Sequence, residues 1–172
     1  MIKKLIFILI PIVLSISCNT KTPAFEIYQE VRFTLPAGKI PTVTHHFLVH
    51  DIPSFLKENL KTRGLTIEDI TEFYAGKGRF ISLDYDYNFG ILYDVSVWIY
   101  KINEYNKRKE IYYRDEVPIS QKGELKLLST GEDVRDILLS DNYEMDIELV
   151  FINTSNITTE CALEFNYAAF VE

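Results

Sequence analysis

The chain has 172 residues, with 18 basic and 25 acidic side chains and a formal charge of −7. This length predicts one domain. The 47% hydrophobic and 25% charged content is ordinary for a globular protein and argues against disorder. The acidic balance argues against a nucleic-acid-binding protein, because such a protein needs a basic face to displace phosphate counterions. The 11 tyrosines and 11 phenylalanines favour β-strands.

The first 18 residues have the pattern of a secretory targeting segment. Lys3 and Lys4 precede an apolar run at 5–14, which is shorter than the roughly 20 residues that a membrane-spanning helix needs. The next four residues, Ser15-Ile16-Ser17-Cys18, resemble the lipobox of bacterial lipoproteins, although Ser15 stands where leucine is commonest. The resemblance implies cleavage before Cys18 and attachment of lipid to this cysteine.

These features divide the chain into a signal peptide at 1–17, a lipidated cysteine with a tether at 18–24, and one domain at 25–172. Cleavage leaves 155 residues with 16 basic and 25 acidic side chains, a formal charge of −9. We therefore expect lipid rather than charge to hold the protein on the membrane. Asn19 is not the aspartate associated with inner-membrane retention in well-studied sorting systems, which favours the outer membrane, on its periplasmic side or at the cell surface.

Alternating apolar residues dominate the first half of the mature chain. The strands that this pattern predicts lie at 25–35, 43–49, 70–75 and 79–83. We expect the last two to be joined by a turn at Gly76-Lys77-Gly78. Apolar residues at helical spacing predict a short helix at 53–63, and Gly64 follows it as a C-terminal stop.

The second half contains the clearest core strand, at 91–102, in which Val95, Val97 and Ile99 share the face that we assign to the core. Further strands are predicted at 110–117, 125–128, 145–151 and 157–171. A short helix is predicted at 132–139, capped by Thr130. Cys161 falls on the apolar face of the last strand, so we expect it to be a buried side chain without catalytic function.

Short strands without a βαβ rhythm predict an all-β fold. We expect an antiparallel immunoglobulin-like β-sandwich with two short helices. The alternative is a lipocalin-like barrel, which would enclose a ligand cavity where a sandwich would not. The order of a helical insertion followed by long paired strands is also similar to that of small bacterial lipoproteins of sandwich type, a resemblance that transfers no site residues.

Trp98 and Tyr100 lie on the opposite face of the core strand, beside Asp94. A charged residue next to two aromatic residues fits a partly hydrated face, so we expect both rings to be exposed and to form a binding surface for a partner or a sugar. We accordingly expect Trp98→Ala to fold with little loss of stability. The alternative is that a helix covers this face and buries Trp98 in the packing.

Oxygen-bearing side chains at Asp84, Asp86 and Asn88 resemble the start of a calcium-binding loop. Gly90 comes one place later than the glycine of such a loop, and Val95 stands where the loop needs a bidentate glutamate. The alternative is a turn between strands, where Asp and Asn bond to the local backbone.

The three histidines, His45, His46 and His50, lie within six residues. In a strand, His46 and His50 are about 13 Å apart, too far to share one metal ion. We therefore expect exposed histidines rather than a zinc site. The run Lys107-Arg108-Lys109 is interpreted as a solvated basic loop, with anionic headgroups or an acidic partner as the alternative ligand.

The sequence has neither a Gly-x-Ser-x-Gly turn nor a phosphate-binding loop. We expect a lipid-anchored envelope protein that acts as a non-enzymatic protein-binding or assembly module. The alternative is a surface module that binds carbohydrate through exposed aromatic residues.

Overall fold

The computed structural model describes residues 22–84 and 87–171. Cys18 and Asp86 lie outside the described residues. The described part contains eight strands: β1 (Phe25–Leu35), β2 (Thr44–Pro53), β3 (Ile70–Ser82), β4 (Leu92–Tyr100), β5 (Lys109–Asp115), β6 (Glu124–Ser129), β7 (Asn142–Phe151) and β8 (Thr159–Val171). Two short α-helices, α1 (Leu56–Arg63) and α2 (Arg135–Leu138), interrupt them. Within this part of the chain, neither helix is long and apolar enough to cross a bilayer.

All strands join one antiparallel sheet in the order β1-β8-β3-β6-β5-β4-β7-β2. The predicted all-β antiparallel fold with two short helices is confirmed. The sheet curls until its two edge strands, β1 and β2, meet, so the domain is a nearly closed barrel, consistent with the barrel alternative. Side chains bridge the seam: Gln29 Nε2 donates to the Pro53 carbonyl at 2.8 Å, and the Phe33 and Phe47 rings are 5.6 Å apart.

Large side chains fill the interior of the barrel. Its biggest fully buried residues are Tyr112, Tyr143, Tyr167, Phe73, Phe80, Phe89 and Phe151. Their polar atoms pair with one another or with the backbone: Tyr167 donates to the Tyr143 hydroxyl at 3.2 Å, and Tyr112 donates to the Asn166 carbonyl at 3.1 Å. These bonds remove the penalty for burying a hydroxyl. Within the described residues, these side chains occupy the barrel interior, where the barrel alternative placed a ligand cavity.

Strand β3 differs from the sequence prediction of two strands joined by a turn. It is continuous, but its pairing with β8 shifts between Ala75 and Gly78, which marks a β-bulge at Gly76 and Lys77. The Lys77 amide donates to Asn166 Oδ1 at 2.6 Å, so a side chain replaces the interrupted ladder. A Cβ at position 76 would lie 2.6 Å from the same oxygen, which explains the glycine there.

Candidate functional site

The outer face of β4 carries the aromatic residues that the sequence singled out. Val95, Val97 and Ile99 are fully buried in the core, so Trp98 lies on the opposite face, as expected. Tyr100 is only 3% exposed, however, and its predicted exposure is wrong. The β4–β5 loop folds back over this face and places the Tyr105 ring 5.1 Å from the Tyr100 ring.

Arg108, at the end of the same loop, covers Trp98. The guanidinium carbon lies 4.4 Å from the centroid of the Trp98 ring and 4.9 Å from that of Tyr105. The indole Nε1 is buried and has no hydrogen-bond partner among the described residues. The pair Trp98–Tyr100 is therefore a covered surface rather than an open aromatic platform, and its predicted binding role stays a prediction.

Below the loop lies a group of four ionisable residues, His46, Arg108, Asp146 and Glu148, which we call the charged cluster. Strand pairing assembles it, because His46 on β2 is opposite Glu148 on β7, and Trp98 on β4 is opposite Asp146. Arg108 Nη1 donates to Asp146 Oδ2 at 3.1 Å and forms a shorter bond to Glu148 Oε1. His46 Nδ1 is 2.9 Å from Asp146 Oδ2 and 3.6 Å from Glu148 Oε1.

Asp146 is the most unusual member of the charged cluster because its side chain is fully buried. Its Oδ2 also accepts a hydrogen bond from the Tyr105 hydroxyl at 2.8 Å, whereas its Oδ1 is buried without a partner in the part of the chain described. Burial and this bond raise the pKa of Tyr105. Burial alone would lower the pKa of Arg108, but the bond to Glu148 and its charge outweigh it and raise this pKa.

The three histidines have separate partners. His50 Nδ1 lies 2.9 Å from Glu144 Oε1, and His45 Nε2 lies 2.8 Å from the Ile40 carbonyl. His46 therefore meets two carboxylates rather than a second histidine. Within the described residues, the donor atoms of His46, Asp146 and Glu148 form the one group that lies close enough to hold a metal ion, all within 4.8 Å of one another.

The predicted calcium ligands that the structure describes make local hydrogen bonds. Asp84 Oδ2 accepts from Thr159, and Asn88 Oδ1 accepts from the Gly90 amide at 3.0 Å. The latter bond caps a 3-10 turn at Phe89–Ile91, a typical role for asparagine in a turn. Calcium binding at Asp84, Asp86 and Asn88 stays a prediction.

A groove of about 970 Å³ crosses the outer face of the other half of the barrel, and we call it the outer groove. It spans four neighbouring strands, β1, β8, β3 and β6, which makes it about 14 Å wide at the usual strand spacing. The residues that line it are Tyr28, Gln29, Glu30, Gly76, Lys77, Gly78, Arg79, Glu124, Lys126, Leu127, Leu128, Ser129, Glu164, Phe165 and Asn166.

The bulge in β3 explains why a convex sheet carries a depression here. Gly76 leaves the floor beside Asn166 without a side chain, while Tyr28, which is 74% exposed, and Leu128 stand at opposite sides. Arg79 lies between two acids, 2.6 Å from Glu164 and 3.3 Å from Glu124. The outer groove thus combines an apolar wall with fixed charges.

Neither feature follows from the local sequence pattern, which favours a solvated loop at Arg108 and a turn at Gly76-Lys77-Gly78. The signal for the outer groove was available in the two glycines inside a strand pattern, since such glycines often mark a bulge or a close backbone approach. The charged cluster had no comparable local signal, because its members come from three distant segments.

No protein-family model matches this chain, and no curated protein matches it.

Proposed function

We propose that the chain is a lipid-anchored protein of the bacterial cell envelope whose β-barrel domain is a non-enzymatic module that binds another envelope protein. The N-terminal segment supports the anchor, since Lys3, Lys4 and the apolar run at 5–14 precede the lipobox-like Ser15-Ile16-Ser17-Cys18. Lipid on Cys18 would hold the domain at the membrane, with the outer membrane as the proposed location.

The tether would keep the domain close to the bilayer. Strand β1 begins at Phe25, and the Ala24 amide already donates to the Ala169 carbonyl at 2.8 Å. The six residues at 19–24 would therefore reach about 20 Å when extended. A domain on so short a tether would meet partners at or near the membrane surface.

The observation that carries the proposed binding role is the outer groove. Because aromatic side chains fill the barrel interior, a ligand of this domain would bind to the outer surface. An extended polypeptide fits the depression in size, with Tyr28 and Leu128 as apolar contacts. Tyrosine is enriched at protein interfaces because it combines an apolar ring with a polar tip.

Charge indicates the chemistry of the partner segment. Six ionisable side chains line the outer groove: Lys77, Arg79 and Lys126 are basic, and Glu30, Glu124 and Glu164 are acidic. Arg79 pairs with Glu124 and Glu164, and Glu30 pairs with Arg32 beside the groove, whereas Lys77 and Lys126 have no ion-pair partner within the described residues. With Arg32 included, the groove has a formal charge of +1 in a protein whose formal charge is −7, which favours an acidic segment. We propose that the partner inserts an acidic, partly apolar stretch of chain.

Site-specific photocrosslinking in intact cells tests this proposal. A photoreactive residue in place of Tyr28 should give a discrete adduct that contains one partner peptide. The matched control carries the same group in place of Tyr93, which is 50% exposed on β4 and does not line the outer groove. Equal adducts from both positions, or none from position 28, would contradict the groove as the binding surface. Independently, Cys18→Ala should leave unprocessed precursor and abolish lipid labelling.

Carbohydrate binding is the second candidate, favoured by the exposed Tyr28 ring beside polar groups that could bond to sugar hydroxyls. A glycan array with the full chain separates the two functions. Sugar binding that Tyr28→Ala abolishes and Tyr93→Ala preserves would replace the protein-binding proposal.

A further inference from the structure

The charged cluster lies on β2, β4–β5 and β7, away from the outer groove, and the proposed function does not use it. Two features set it apart from an ordinary surface ion pair. Its two carboxylates are largely out of solvent, with Asp146 fully buried, and they share a single arginine. Carboxylates are seldom buried unless they are paired or coordinate a metal ion.

We propose that His46, Asp146 and Glu148 form a binding site for a divalent first-row transition metal ion, and that Arg108 competes with this ion for the same two carboxylates. One imidazole and two carboxylates are a donor set suited to Zn²⁺ and its neighbours in the series.

The donor distances fit such an ion. Bonds of 2.0–2.2 Å to tetrahedral Zn²⁺ place neighbouring ligand atoms about 3.4 Å apart. His46 Nδ1 is already 2.9 Å from Asp146 Oδ2 and 3.6 Å from Glu148 Oε1, and strand pairing fixes all three backbones. Small side-chain rotations would therefore complete a three-ligand site.

The second, independent observation is the orphaned oxygen of Asp146. Oδ1 belongs to a fully buried side chain and has no hydrogen-bond partner among the described residues, although buried carboxylate oxygens nearly always have one. A cation held by Asp146 through both oxygens would satisfy Oδ1 as well as Oδ2. The bond from Arg108 Nη1 reaches only Oδ2.

Arg108 occupies the place that the cation would take. Its Nη1 contacts Asp146 Oδ2 and Glu148 Oε1, the two oxygens that we assign to the metal ion. Two adjacent cations repel, so metal binding would displace the guanidinium from the cluster and from its stacking position over Trp98. Trp98 is the only tryptophan in the chain, so its fluorescence would report the displacement directly.

The test is a titration of the purified full-length chain with Zn²⁺. Isothermal calorimetry measures the binding, and Trp98 fluorescence measures the displacement of Arg108. We expect saturable binding of one ion with a matching fluorescence change. His46→Gln should weaken the affinity by roughly tenfold or more, since even the loss of an outer-shell partner of a metal has an effect of this size. His50→Gln is the matched control, because His50 is as exposed as His46 and contacts one carboxylate only.

Competition between Arg108 and the metal ion predicts an effect that a cluster with a purely structural role would not show. Arg108→Gln should tighten Zn²⁺ binding several-fold, because the rival cation is gone. Unchanged or weaker binding in folded Arg108→Gln would overturn the competition, and equal affinities of His46→Gln and His50→Gln would overturn the site. If Arg108→Gln does not fold, the comparison of His46→Gln with His50→Gln still tests the site. The His46 side chain is 46% exposed, so we expect its replacement to be tolerated.

Discussion

Arg108 lies over the ring of Trp98, with its guanidinium carbon 4.4 Å from the centre of the indole ring. The same guanidinium bonds to Asp146, the cross-strand neighbour of Trp98, so one side chain covers both an aromatic ring and a buried acid. This contact fastens the β4–β5 loop to the outside of the barrel. Trp98 is half-buried beneath this charged side chain.

The cover over Trp98 changes the expected effect of removing the ring. Trp98→Ala removes a half-buried side chain and its cation–π contact, so we expect a loss of about 1–3 kcal/mol in the free energy of unfolding. This exceeds the small loss expected for an exposed ring. Urea denaturation measures it, with Tyr93→Ala on the same strand as the control. Equal losses for the two variants would show that Arg108 does not cover the ring in solution.

Arg108→Ala should be the most destabilising change of a basic residue in the β4–β5 loop. It leaves Asp146 buried without a compensating charge, which typically costs about 3–5 kcal/mol. Lys107→Ala is the matched control, because Lys107 forms an exposed ion pair with Glu104 that contributes about 1 kcal/mol or less. Thermal unfolding of both variants measures the difference in stability between them. Asp146→Asn should recover part of the loss in the Arg108→Ala background, and a double variant no more stable than the single one would contradict this electrostatic cause.

The fold was largely predictable because strand alternation is a local property. In β7 and β8, apolar residues such as Ile147 and Leu163 recur at every second position and are fully buried, so the inward face can be identified without knowledge of the partner strands. Curvature and closure of the sheet are different. They depend on long-range register, such as the pairing of Phe25 with Ala169, which no short segment specifies.

The predictions were wrong where one short sequence is compatible with two local structures. Glycine at positions 76 and 78 suits a hairpin turn as well as a bulge, and only pairing with distant β8 selects the bulge. Thr130 suits a helix cap but donates to the Glu110 carbonyl at 2.6 Å, while α2 begins at Arg135 and is shorter than predicted. In both cases a contact with a residue distant in the sequence determines the local structure.

The candidate sites were predictable only in part. The face of Trp98 follows from the period of β4, whereas its cover depends on a bond between Arg108 and an aspartate 38 residues later. Arg108 is predicted to be solvated from its sequence neighbours alone, yet its bond to the distant Asp146 holds it half-buried. The outer groove could not be predicted either, because it is formed by four strands whose order in the sheet is not evident from the sequence.

The buried thiol of Cys161 should be unreactive in the folded domain. Burial, followed by the nearby charges of Glu160 and Asp84, raises its pKa to about 12, so almost no thiolate forms near neutral pH. We expect iodoacetamide at pH 8 to leave Cys161 unmodified in the native Cys18→Ala variant and to modify it fully in urea. Mass spectrometry measures the modification. Rapid labelling under native conditions would show that the β8 region opens far more readily than a packed core should.

The last prediction concerns the pair Asp94–Asp115, two acids directly opposite each other on β4 and β5. Asp94 Oδ1 is buried without a partner among the described residues, and burial together with the Asp115 carboxylate raises the pKa of Asp94. The folded state therefore holds the proton on Asp94 at a pH where the unfolded chain has released it. Between the unfolded and the folded pKa the native state binds more protons, so stability falls as the pH rises through the folded pKa.

Asp94→Asn mimics the protonated side chain and should remove this pH dependence. At pH 7 we expect a gain of roughly 0.2–1 kcal/mol in the free energy of unfolding, the scale of one cross-strand pair, and at pH 3, where the acid is protonated in both states, no gain. Asp141→Asn is the control, because Asp141 is exposed and paired with Lys57, so its replacement at pH 7 should change stability little or lower it slightly. Urea denaturation at the two pH values separates these outcomes. A gain for Asp94→Asn that is the same at pH 3 and pH 7 would mean that packing, rather than repulsion between the two acids, is responsible.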